Sequence, residues 1–201
     1  FAQRDTIVSG TNERAPNTEV VNCTTLAAAR DLIERGITHD PLCLNFASAK
    51  NPGGGFLNGS QAQEESLARA SGLHGCISPM RDMYDANRGH RSCLYTDHMI
   101  YTPKVPVFRD DDDALLEEFY CTSILTVPAV NAGAVRRNSP HEADLIQPTM
   151  HSRAEKLLAV ATIQGHRALV LGAWGCGVFK NDSAEGAAFG GPIVYGHGDE
   201  D

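Results

Sequence analysis

Basic residues are in short supply in this 201-residue sequence: 17 Lys and Arg stand against 25 Asp and Glu, a formal net charge of −8. Nucleic-acid binders generally carry the opposite balance, so direct contact with DNA or RNA is not expected. Long apolar stretches are missing too. None approaches the roughly 18 residues a membrane span needs, and nothing at Phe1 resembles a signal peptide, so the expectation is a cytoplasmic protein without membrane contact. The six cysteines (Cys23, Cys43, Cys76, Cys93, Cys121, Cys176) form no CxxC pair and no zinc-finger spacing with histidine, and the eight histidines are dispersed. Reduced, buried thiols are expected, with no metal and no cofactor. Internal repeats and long linkers are absent as well, which leaves one domain over residues 1–201, a monomer, with 1–16 as an N-terminal arm and 183–201 without assignment.

What is present is an ordinary globular composition, 42% hydrophobic and 21% charged. Strand and helix patterns alternate. Residues 20–22 read as a short strand, and Thr24 and Thr25 offer caps to an amphipathic helix over 26–34 that stops at Gly36. Residues 42–47 form an apolar run suited to a buried strand, followed by a glycine loop over 51–60 and a helix over 61–71. Residues 78–91 are polar and read as a loop or short helix. The segment 99–108, with Pro103 and Pro106, suits an edge strand. The four aspartates 110–113 predict a solvated turn capping a helix that starts near Ala114. A further buried strand is expected over 124–130, a helix over 152–165 and a strand over 168–171. This alternation predicts an α/β fold with its ligand site in loops at strand ends.

Two glycine segments and one acidic pair carry the chemistry. The strand over 42–47 runs on into Gly53-Gly54-Gly55, where the backbone can approach a ligand closely. The segment is no dinucleotide fingerprint, because Asn58 stands where the last glycine of G-x-G-x-x-G belongs, and no Gly-Lys-Ser/Thr follows. Gln63-Glu64-Glu65 then opens a helix entered from that loop. Adjacent glutamates usually form a solvated face, but these sit where at least one should face a ligand. A helix N-terminus favours the carboxylate, whereas burial and a nearby anionic ligand favour the protonated acid that catalysis needs. The second segment, Gly172-Ala-Trp-Gly-Cys-Gly-Val-Phe179, follows a strand and points toward Asp182 as a helix cap; its successive N–H groups suit a phosphate. Phe179 is a core or a stacking residue, and Trp174, the only tryptophan, reads as packing.

These pieces, with Asn45-Phe46, Tyr95-Thr96-Asp97 and Val105-Pro-Val-Phe-Arg109, resemble the bacterial and fungal type of poly(ADP-ribose) glycohydrolase. The resemblance implies a macrodomain, a three-layer α/β/α arrangement with a central mixed sheet and ADP-ribose across the strand ends. It implies Glu65 as the acid that protonates the leaving 2′-oxygen of a ribose–ribose bond and then accepts a proton from the attacking water. Glu64 would hold the ribose, Asn45 would contact the terminal ribose, and Gln63 would belong to the substrate-binding set. Gly53, Gly54 and Gly55 on one side and Gly175, Cys176, Gly177, Val178 and Phe179 on the other would bracket pyrophosphate and ribose. The partners implied are poly(ADP-ribose), ADP-ribosylated proteins and ADP-ribose as product, with cleavage from chain ends. Where many macrodomains place an aspartate for adenine, this sequence has Cys23-Thr24-Thr25. A non-catalytic ADP-ribose reader would need the glycine loops but not Gln63-Glu64-Glu65. A hydrolase of mono-ADP-ribosylated side chains would be separated by comparing rates on polymer and on mono-modified protein, and a strict metal requirement would favour an unrelated α/β enzyme acting on a nucleotide.

Overall fold

The computed structural model describes residues 18–181 and the backbone of 193–196. Its centre is β1 (Leu42–Phe46), and the alternation along that strand sorts the core into two faces. Leu42 and Leu44 join one apolar cluster while Cys43 joins the other. Burial on both faces explains why the strand reads as a continuous apolar run rather than an alternating one. β1 pairs in parallel with β3 (Leu115–Val127) and with β4 (Leu169–Gly172). β2 (Ile100–Arg109) lies antiparallel outside β3, and β5 (Ile193–Gly196) runs parallel outside β4, giving the order β2-β3-β1-β4-β5.

One face of this mixed sheet is covered by α1 (Thr25–Glu34), α2 (Gln63–Ala70), α3 (Leu73–Ile77) and α4 (Arg81–Gly89), which bury Leu26, Leu67, Leu73 and Tyr84. The other is covered by α5 (Ala132–Asn138) and α6 (Ile146–Ile163), with Val135, Met150 and Leu157 pointing inward. The expected three layers are therefore present. α1 starts where its sequence predicts, with the Thr24 hydroxyl accepting the Ala27 N–H at 3.1 Å.

Several local expectations change. No helix begins near Ala114. The Asp110 carboxylate accepts the N–H groups of Asp112 (3.0 Å) and Ala114 (2.9 Å), and Asp113 takes φ 61°, so the aspartates close a β2–β3 hairpin instead. The same side-chain bond that caps a helix can close a turn. β3 is consequently one 13-residue strand. Val20 makes only an isolated bridge, and Val21 and Asn22 lie outside any strand. Residues 81–89 are a true helix, its inward side carried by Met83, Tyr84 and Asn87. The unassigned end supplies β5, which extends the sheet on the edge of β4. Asp182 lies outside the described residues. Of the six free thiols Cys43 is buried, pushed up to about 12 by that burial, whereas Cys76 is exposed.

Candidate active site

β1, β3 and β4 all run the same way, so the segments that leave them gather at one edge of the sheet, where β2 also begins. Crevices of this kind at the carboxyl ends of parallel strands are the usual ligand sites of open α/β sheets. Residues 47–55 leave β1, 128–131 leave β3 and 173–181 leave β4, while 94–99 lead into β2.

α2 enters this edge by its N-terminus. No side chain caps it, and its first turn carries both Glu64 and Glu65. They are 3% and 7% exposed, which is rare for glutamate unless the carboxylates are hydrogen-bonded. Both are. Ser48 N–H donates to Glu64 Oε2 at 2.6 Å, Asn45 Nδ2 donates to Glu64 Oε1 at 3.2 Å, and Gly55 N–H donates to Glu65 Oε1 at 2.7 Å. Burial pushes the Glu64 carboxyl up to about 7, against the opposing pull of the Ser48 and Asn45 hydrogen bonds. Asn45 also donates to Thr126 Oγ1 at 3.2 Å, which fixes it between β1 and β3.

The glycines make this approach possible. Gly54 has φ +58°, and a Cβ there would fall on Glu65 Oε1 and lie 3.0 Å from Glu64 Oε2. Gly53 and Gly55 are equally hemmed in, by the His74 ring and by Ser60. Gln63 bonds within the protein. Its Oε1 accepts the Phe46 N–H at 2.9 Å, and its Nε2 donates to Leu44 O at 2.8 Å and Thr25 Oγ1 at 3.1 Å. Those bonds tie α2 to β1 and α1.

The second glycine segment is anchored at three points. Trp174 Nε1 donates to Val127 O at 3.0 Å, confirming Trp174 as a buried packing residue. Asn181 Nδ2 donates to Val130 O at 2.8 Å and to Gly175 O at 3.1 Å, and Gly133 N–H donates to Phe179 O at 2.9 Å. Gly175 has φ +77°, and a Cβ there would lie 2.6 Å from that of Ala129. Cys176 is half-buried, Gly177 is exposed, and Val178 stands out at 85% exposure. The half-buried Phe179 ring lies 6.1 Å from that of Tyr95, tilted by 48°.

The structure thus brings Asn45, Gly53–Gly55 and the glutamates into one cluster, with the 175–179 loop at the same sheet edge. Sequence reasoning passed over two neighbours. Tyr95 was noted only within a motif, yet it takes φ 59°. Arg153 is fully buried in α6; an arginine in register with Met150, Ala154 and Leu157 on the inward side was the available signal.

Residues 2–110 match the family model for the catalytic domain of microbial-type PARG. A poly(ADP-ribose) glycohydrolase from Deinococcus radiodurans in complex with ADP-ribose is 42% identical, with a TM-score of 0.84 over 97% of this chain and 84% of that one. The enzyme from Thermomonospora curvata bound to the inhibitor ADP-HPD is 44% identical, with a TM-score of 0.83 over 97% and 76% of the two chains. No curated protein matches. With the catalytic-domain model covering more than half of its length and its whole described fold shared with these enzymes, the chain belongs to the microbial-type poly(ADP-ribose) glycohydrolase family.

Proposed function

We propose that the chain hydrolyses the ribose–ribose O-glycosidic bond of poly(ADP-ribose), releasing ADP-ribose, with Glu65 as general acid and then general base. The observation that carries this is the placement of two buried glutamates in one helical turn, each held by a backbone N–H of the segment after β1. Gly55 N–H occupies Oε1 of Glu65, leaving Oε2 to deliver the proton. Glu65 gives that proton to the leaving 2′-oxygen as the bond to the anomeric carbon breaks. Water attacks the oxocarbenium-like centre, and its proton returns to Glu65, so the enzyme ends as it began. One glutamate serves both steps, unlike the paired carboxylates of most glycosidases.

Glu64, fastened by Ser48 and Asn45, holds ribose hydroxyls; with its carboxyl raised to about 7 it can donate or accept near neutral pH. Asn45 assists at the terminal ribose. Gly53, Gly54 and Gly55 on one side and the loop of Gly175, Cys176, Gly177 and Val178 on the other bracket the pyrophosphate and the terminal ribose, and Phe179 stacks on the sugar. Gln63, in the substrate-binding set, also braces α2 against β1. Cleavage from chain ends is part of this reading, as the family resemblance implies. Mainly long oligomers among early products would overturn that point.

The test is release of ADP-ribose from poly(ADP-ribose) by wild type and by Glu65→Gln, with ADP-ribose affinity measured alongside. Turnover is expected to fall by about 10²-fold or more with binding retained. A wild type that binds ADP-ribose and releases none would make the chain a reader.

A further inference from the structure

The most elaborate polar contact outside the acidic pair belongs to Arg153. Its guanidinium is 0% exposed and makes four hydrogen bonds: Nε to Asp97 Oδ1 at 3.0 Å, Nη1 to Pro128 O at 3.0 Å, and Nη2 to Leu94 O at 3.0 Å and Tyr95 O at 3.2 Å. Lys156 Nζ also donates to Asp97, on its Oδ2. Burial pulls the guanidinium below its ordinary value, and Asp97 opposes this. Burial raises the Asp97 carboxyl, and the bonds from Lys156 and Arg153 outweigh that and hold it low.

These contacts join two strands' ends at the crevice: the exit of β3 at Pro128 and the entry to β2 at 94–97. Between them sits Tyr95, whose φ of 59° is a conformation that residues bearing a Cβ adopt only when their surroundings impose it. Arg153 holds the carbonyls on both sides of that strained residue, at Leu94 and at Tyr95 itself. Asn131 adds a further tie, its N–H donating to Cys93 O at 3.0 Å just ahead of this segment. The Tyr95 ring then faces Phe179.

We propose that Arg153 is a positioning residue of the ADP-ribose site: by fixing residues 94–97 it keeps Tyr95 in its left-handed conformation against Phe179, and so sets where the second glycine loop meets its ligand. The proposal rests on the reading of Phe179 as a ligand contact. Arg153 touches no reacting atom; it acts through two aromatic rings. A lysine in its place could keep the charge but not the planar fork that serves four acceptors at once.

The test titrates ADP-ribose into wild type, Arg153→Lys, Phe179→Ala and the double variant, with melting curves to show that each is folded. Arg153→Lys is expected to weaken ADP-ribose by about tenfold, the order an aromatic contact contributes. KM for polymer should rise while kcat stays within about twofold. In the Phe179→Ala background the same substitution should change affinity by less than about twofold, since the wall it positions is already gone. Equal effects in both backgrounds, or wild-type affinity in Arg153→Lys, would overturn the proposal and leave the loop assignment standing. Unchanged affinity in Phe179→Ala would overturn both. If Arg153→Lys does not fold, Asp97→Ala removes one of the guanidinium's partners from the more exposed side, and the same non-additivity with Phe179→Ala decides the matter.

Discussion

The two glycine segments at the sheet edge look alike in sequence and are built for different reasons. In the first, all three glycines lie against side chains: Gly53 against His74, Gly54 against both glutamates and Gly55 against Ser60. Here the missing Cβ makes room for carboxylates to reach the backbone. In the second, Gly175 is enclosed by Ala129 and Asn181, while Gly177 has open space around it and the tip at Val178 stands in solvent. That loop takes its shape from anchors at Trp174, Asn181 and Phe179 and leaves its outer turn unencumbered. A run of glycines can therefore serve the protein's own side chains or leave a surface bare for a ligand.

Four substitutions sharpen this contrast. Gly54→Ala should have the largest effect. It strains a left-handed residue and displaces Glu65 Oε1, so turnover on poly(ADP-ribose) should fall by about 10²-fold or more, with about 1–3 kcal/mol of stability lost. Wild-type turnover in a folded Gly54→Ala enzyme would break the comparison at its stronger end. Gly175→Ala should come next, lowering the melting temperature and weakening ADP-ribose by about tenfold, because the enclosed turn must shift while Glu65 stays in place. A pure kcat defect with normal affinity would show that this loop serves the reacting atoms instead.

Glu64→Gln probes the acidic side of the first segment through pH. The Glu64 carboxyl is raised from 4.5 to about 7 in the folded protein, so between those values the unfolded chain has lost a proton that the folded one keeps. Stability therefore falls as pH rises through that window, by up to about 3 kcal/mol at full ionisation. Glu64→Gln lacks this dependence, and its melting temperature relative to wild type should improve from pH 5 to pH 8. A constant difference across that range would contradict the burial-driven shift. Gly177→Ala should have the smallest effect on stability, with an unchanged melting temperature because a methyl group there meets no protein atom; a loss of ADP-ribose affinity in this variant would show that the ligand uses the bare turn.

Local chemistry was legible in the sequence, and long-range contacts were not. The Thr24 cap, the buried run of β1 and the glycine–Gln-Glu-Glu signature each rest on neighbours in the chain, and each marks the element it predicts. The aspartates at 110–113 misled because one carboxylate can cap a helix or close a hairpin, and only the pairing of Arg109 with Leu115 decides which. α4 was ambiguous because two of its three buried side chains, Tyr84 and Asn87, are polar. Gln63 was read with the glutamates beside it, although its partners lie back on β1 and α1. Arg153 and Tyr95 could not be paired from spacing, since the contacts between them bridge 58 positions of chain.

The order of the sheet also governs how the molecule comes to exist. β1 is made early, yet its two neighbours, β3 and β4, are synthesised far later, whereas β2 and β3 can zip together as a local hairpin. Such distant parallel pairings carry a large loop-closure cost and form slowly. A growing chain therefore carries Glu64 and Glu65 through the synthesis of β2, β3 and β4 with no cleft around them. The cleft closes only when β4 slots in beside β1, so competence to bind ADP-ribose should arrive in a single late step of folding, and affinity for the product can serve as a clock for that step.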